Sequence, residues 1–165
     1  MNAIHPSARI RYLPLLAVAS LFALGYASAG ASDPASASSL KTLIETRKAS
    51  LKKMGAAMKT IVDQLKTDAP DHVKMTAAAE VISVYAQELP RWFPDGSGSE
   101  AGVETDALPY IWKDRVKFDS LANRLAPESK NLTTAIANND PAALKVQVKV
   151  VSELCSTCHH SFRAD

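Results

Sequence analysis

Apolar residues recur at steps of three and four through four long segments, and breakers close each segment off. The first stripe is Leu40, Leu43, Ile44, Leu51, Met54, Met58, Ile61, Val62 and Leu65, with Lys and Arg on the other faces. That spacing predicts a helix over 39–67, closed by Pro70. Asp71 is placed to cap a second helix with the stripe Val73, Ala77, Ala78, Val81, Ile82, Tyr85 and Leu89, ended by Pro90. A loop dense in breakers follows, Phe93-Pro94-Asp95-Gly96-Ser97-Gly98. Pro109 suits the first turn of a third helix carrying Ile111, Arg115, Phe118, Leu121, Ala122 and Leu125. Pro127 predicts a kink or a restart before Leu132, Ala135 and Ile136. Asn139-Asp140-Pro141 starts a fourth helix that runs to about Arg163. Val146, Val148, Val150 and Val151 have strand propensity, but the 3.6-residue stripe passes through them. Long helices with short connections predict an all-α, antiparallel four-helix bundle.

The bundle does not begin at residue 1. Arg9 and Arg11 precede an apolar run, Leu13 to Tyr26, and then Ala27-Ser28-Ala29. That is the layout of a cleaved secretory signal over 1–29, with 31 as an alternative cleavage point. Pro14 and the short run argue against a spanning helix, which needs about 20 apolar residues. No membrane association is expected after cleavage, and the location implied is the periplasm. Residues 30–38 read as a flexible lead-in, and 39–165 as the bundle, large enough to bury a core. Loss of Arg9 and Arg11 lowers the 19 basic residues to 17, level with the 17 acidic ones. A neutral chain lacks the basic footprint of a nucleic-acid binder. No nucleophile–base pair or paired carboxylates stand out, so no enzymatic turnover is expected.

The only cysteines are Cys155 and Cys158, followed at once by His159. Cys-x-x-Cys-His is the pattern of covalent haem attachment: each sulfur bonds one vinyl group and the histidine reaches the iron. On the last helix Leu144, Val148, Val151, Cys155, Cys158 and Phe162 share one face, which places both thiols side by side on one turn toward the core. His160 is rotated by about 100° from His159, toward solvent or a propionate. Three other readings compete. Zinc needs about four ligands, and only the two thiols and His159 or His160 are local. A thioredoxin-like pair normally comes with a βαβ context. An exported structural bundle could use the pair as a disulfide.

A second iron ligand, often methionine, is usual in electron-transfer cytochromes. Only Met54, Met58 and Met75 are available, and each also serves as core filler. Trp112 and Phe118 read as core or haem-contact residues, and Trp92 as cover for the haem edge or the bundle end.

Several segments together resemble the class II c-type cytochromes, the cytochrome c′ group. They are the terminal Cys155-x-x-Cys158-His159 with Phe162-Arg163, the Arg47-x-x-x-Leu51 and Gly55-Ala56-Ala57-Met58-Lys59 segments, Leu89-Pro90 with Phe93-Pro94, and Ile111-Trp112 with Phe118. The resemblance spans essentially the whole mature chain. It implies one haem c per chain, with His159 on the iron, Arg47 on a propionate and Leu51 on the distal side. Arg163 matches the family's proximal arginine, and a cation near a helix C-terminus is favourable in its own right. Low-spin members have methionine where this chain has Leu51, and leucine cannot ligate iron. The implied iron is therefore five-coordinate and high-spin, open to the small gases NO and CO, and able to exchange electrons with periplasmic redox proteins. The alternative is a low-spin carrier with a first-helix methionine as second ligand. Homodimerisation through the first two helices is a further implication of the resemblance alone.

Overall fold

The computed structural model describes residues 34–164. The signal sequence expected over 1–29 lies outside the described residues. Four long helices make up the fold: α1 (Pro34–Gln64), α2 (His72–Glu88), α4 (Arg115–Ala137) and α5 (Pro141–Phe162). A single turn, α3 (Tyr110–Lys113), precedes α4. Helix α1 starts at Pro34, so the last five residues of the expected 30–38 lead-in are helical.

Local chemistry sets the helix starts. Asp71 accepts from the Lys74 backbone N–H at 3.0 Å, and Asp140 accepts from Ala142 and Ala143, each at 3.0 Å, with Pro141 at the first helical position. After α2 the chain tightens into a 3-10 turn, Leu89–Trp92, with Pro90 near its start. Among the described residues there is no strand, only an isolated bridge between Ala107 and Arg163.

Two expectations are corrected. The chain leaves helix at Asp114 (φ −120°, ψ 58°), and there is no restart at Pro127, which sits exposed inside a continuous α4. The proline ring costs one backbone hydrogen bond, and Pro127 stands on an exposed face of the helix, clear of the core. On α2, Val73 is 80% exposed and Ala77 is also exposed. The buried face keeps Ala78 and Ile82 of the expected stripe and adds Met75, Ala79 and Ala86. Alanines dominate that face, and they let neighbouring helices approach closely.

Helix α2 packs against α1 and α4, and α4 packs against α5. Met75, Ile82, Leu132, Ile136 and Val151 are almost fully buried between them. Helices α1 and α5, by contrast, scarcely touch. The space left between those two is the site.

Candidate haem site

A cavity of about 1120 Å³ opens between α1 and α5. Ligand pockets usually enclose roughly 300–1,000 Å³, so this is room for a large, flat group. Its deep wall is apolar: Phe93, Ile111, Phe118, Leu125 and Val151 all line it. Three of the rings are held edge to face, with Phe118 4.9 Å from Phe93 and 5.4 Å from Phe162 between centroids.

Helix α5 contributes the chemistry. Cys155 and Cys158 are half-buried free thiols on the cavity wall, and His159 lines it one residue further on. Burial pushes the Cys155 thiol up, and burial with Cys155 beside it pushes Cys158 up to about 11. Both are therefore protonated and weakly nucleophilic near neutral pH. Burial, and then the cation of Arg163, hold the His159 imidazole below its ordinary value, in the neutral form that can ligate a metal. Arg163 follows the last residue of α5, and its backbone N–H donates to the His159 carbonyl at 2.9 Å. Two further bonds tie this end of the chain to the preceding loop. Leu108 N–H donates to the Phe162 carbonyl at 2.9 Å, and Ala164 N–H to the Asp106 carbonyl at 2.8 Å.

Helix α1 supplies the facing wall, including Arg47, Leu51, Met54, Gly55 and Met58. Leu51 is half-buried there, with no atom able to bind a metal. Arg47 is 2% exposed, and the connection between α2 and α3 occupies its guanidinium. Nη1 donates to the Trp92 carbonyl at 3.2 Å and to Ser97 Oγ at 3.1 Å, and Nη2 donates to the Ser97 carbonyl at 3.0 Å and to Thr105 Oγ1 at 2.9 Å. The Phe93 ring lies 4.5 Å beneath it. Burial lowers its pKa.

A second arginine holds the same loop. Arg115 donates to the carbonyls of Phe93 at 2.6 Å and Pro90 at 3.1 Å, and pairs with Asp119 at 2.8 Å. The loop therefore fixes Phe93 in the cavity wall. Trp112 donates its Nε1–H to the Pro94 carbonyl at 2.9 Å and so anchors the loop without lining the cavity. Trp92 packs edge to face on Tyr85, 5.7 Å between centroids, at the end of α2. None of these loop partners was legible in sequence, because each arginine reaches carbonyls 22 to 50 residues away.

The residues present fit a haem: an apolar slot, two protonated thiols one turn apart, and a neutral imidazole beside them. Zinc fits poorly, since among the described residues no three His, Cys, Asp or Glu side chains form a metal-binding group. Fold and site together define a c-type haem bundle.

Comparison with known proteins narrows this class. The family model described as Cytochrome C' matches residues 42–163. Cytochrome c' of Rhodopseudomonas palustris is 38% identical over 123 residues, 74% of this chain and 82% of that protein. The Rhodospirillum rubrum cytochrome c' is 30% identical over 92% of this chain and 98% of its own length. The crystal structure of cytochrome c' from Thermochromatium tepidum superposes with a TM-score of 0.71 at 26% identity, covering 76% of this chain and 97% of that one. The chain belongs to the cytochrome c′ family. It is a haem c protein, with the group bonded covalently through Cys155 and Cys158.

Proposed function

We propose that this is a periplasmic high-spin cytochrome whose single iron ligand from the protein is His159, and which binds small uncharged gases such as NO and CO. The observation that carries the reading is Leu51 on the α1 wall of a cavity whose α5 wall holds Cys155, Cys158 and His159. Haem iron, if held at His159, would supply one open coordination position and one electron of redox capacity. The protein's part is to shape that position. Leu51 crowds it against large ligands and offers no hydrogen bond to a polar one. The two thiols fix the group to α5, and Phe93 and Phe118 keep water from its apolar face. Arg163, beside His159, favours the neutral imidazole.

Arg47 sits at the cavity edge as the partner of a propionate. Its four Nη–H groups already have protein acceptors, which leaves Nε–H for that contact. Electron exchange with periplasmic redox proteins uses the open edge of the cavity between α1 and α5. No described helix is long and apolar enough to cross a membrane. Val73 and Val84, 80% and 57% exposed on α2, are the surface we assign to a homodimer. Adding CO or NO to the reduced protein should shift its spectrum with one gas bound per chain. No shift at saturating gas would refute the open position.

A second reading has its own observation. Met54, 7% exposed, and Met58 line the same cavity beyond Leu51. Either sulfur on the iron would make a low-spin, purely electron-carrying cytochrome, inert to CO.

A further inference from the structure

We infer that the segment 104–108 is a strap tying the two walls of the site together, and that Thr105 is the positioning residue at its centre. The effect on the iron rests on the reading of His159 as its ligand; the strap does not. Helices α1 and α5 carry opposite walls yet scarcely touch, so at long range they are joined through α2 and α4. The strap is the short route between them. On the α1 side, Lys48 Nζ donates to the Glu104 carbonyl at 3.1 Å, and Arg47 Nη2 donates to Thr105 Oγ1 at 2.9 Å. On the α5 side, the Leu108 N–H donates to the Phe162 carbonyl and the Ala164 N–H to the Asp106 carbonyl, which makes the antiparallel bridge between Ala107 and Arg163. Residues 104–106 belong to no helix or strand, so partners outside the segment fix its place.

Thr105 joins the two sets of bonds. Besides Arg47, its Oγ1 accepts from the N–H of Ala107 at 3.2 Å, the residue that faces Arg163 in the bridge. A hydroxyl oxygen has two acceptor lone pairs, and each is taken by a different side of the strap. A hydrogen-bonded path thus runs from Arg47 through Thr105 and Ala107 to Arg163, whose N–H holds the His159 carbonyl at 2.9 Å. That path ends on the last turn of α5. Helix ends fray because the final four carbonyls lack intrahelical partners. The Phe162 carbonyl is one of these, and the Leu108 N–H satisfies it. The turn that carries His159 is therefore held from α1, across the rim of the cavity.

The test is backbone hydrogen exchange of the holoprotein by mass spectrometry, with the iron–histidine stretch of the reduced protein read by resonance Raman. Thr105→Val keeps the side-chain shape and removes its acceptor. Exchange in peptides over 104–109 and 159–165 should rise roughly five- to tenfold, the scale of one lost hydrogen bond, with α2 unchanged. The iron–histidine band should broaden. Thr105→Ser keeps the hydroxyl and should restore both readouts. Ala164→Pro removes the donor on the α5 side and should loosen the same two segments. Proline is compatible there because Arg163 is already extended, at φ −118° and ψ 137°. Unchanged exchange in either variant, or an equal rise in α2, overturns the strap. A Thr105→Ser protein that behaves like Thr105→Val overturns the role of the hydroxyl. Faster exchange with an unaltered band overturns the positioning of His159. A wild type with no iron–histidine band refutes His159 as the ligand, a separate failure that leaves the exchange rates to decide the strap.

Discussion

Arg47 and Ser97 are joined twice, Nη1 to the serine hydroxyl at 3.1 Å and Nη2 to its carbonyl at 3.0 Å. Both residues are buried, Arg47 at 2% exposure and Ser97 at 0%. The pair fastens an irregular loop to α1, and the Phe93 side chain that the loop carries forms part of the cavity wall. A cation is thus spent on holding protein carbonyls at the edge of the site.

Replacing Arg47 with Gln should leave Ser97, Thr105 and the Trp92 carbonyl short of donors. The expected loss is about 2–4 kcal/mol, measured by urea unfolding of the holoprotein. Arg47→Lys should recover only a fraction, since an ammonium cannot span the same acceptors as a planar fork.

Leu51→Ala should speed NO and CO binding by removing the crowding side chain. Because Leu51 is only half-buried, the stability cost should be about 1–2 kcal/mol, below the range for fully buried leucines. Stopped-flow mixing with CO checks the first expectation and thermal melting the second. Unchanged association rates would place Leu51 away from the iron.

Asp71 gives a pH-dependent prediction. The Lys74 backbone N–H, then the Lys74 ammonium, hold its carboxyl below the usual range. A depressed pKa contributes stability that is present above about pH 3.9, the unfolded value, and lost as pH falls through the lower folded value. Asp71→Ala should therefore lower the urea midpoint at pH 7, and the difference from wild type should shrink by pH 3.

Covalent attachment can be checked by extraction. Acid–acetone should leave the wild-type protein red, because two thioethers survive the treatment. Cys155→Ala/Cys158→Ala should release all of its colour under the same conditions.

Much of the bundle was legible from local signals. The Asp71 and Asp140-Pro141 caps act within three residues, and the stripes on α1 and α5 name the faces that line the cavity. Misreadings arose where local preference and tertiary context diverge. Val73 looks like core by hydropathy, yet the alanines of α2 take the core because they permit close helix approach. Pro127 looks like a break, yet α4 runs on through it with the ring on an exposed face. Asp114, where the chain actually departs from helix, has a side chain that caps α4 through the Lys117 N–H at 3.3 Å. The thiols, His159, Leu51 and Arg47 could be named from their motifs. The loop clamp by Arg47 and Arg115 could not, because most of its acceptors are backbone carbonyls, and the Ser97 and Thr105 hydroxyls that join them lie 50 and 58 residues from Arg47.

The most direct test of the one-ligand iron is the absorption spectrum of the purified protein, oxidised and reduced, with no added gas. A high-spin spectrum in both states, with no methionine–iron band when oxidised, is the predicted result. A low-spin six-coordinate spectrum with that band would put Met54 or Met58 on the iron and contradict the role given to Leu51.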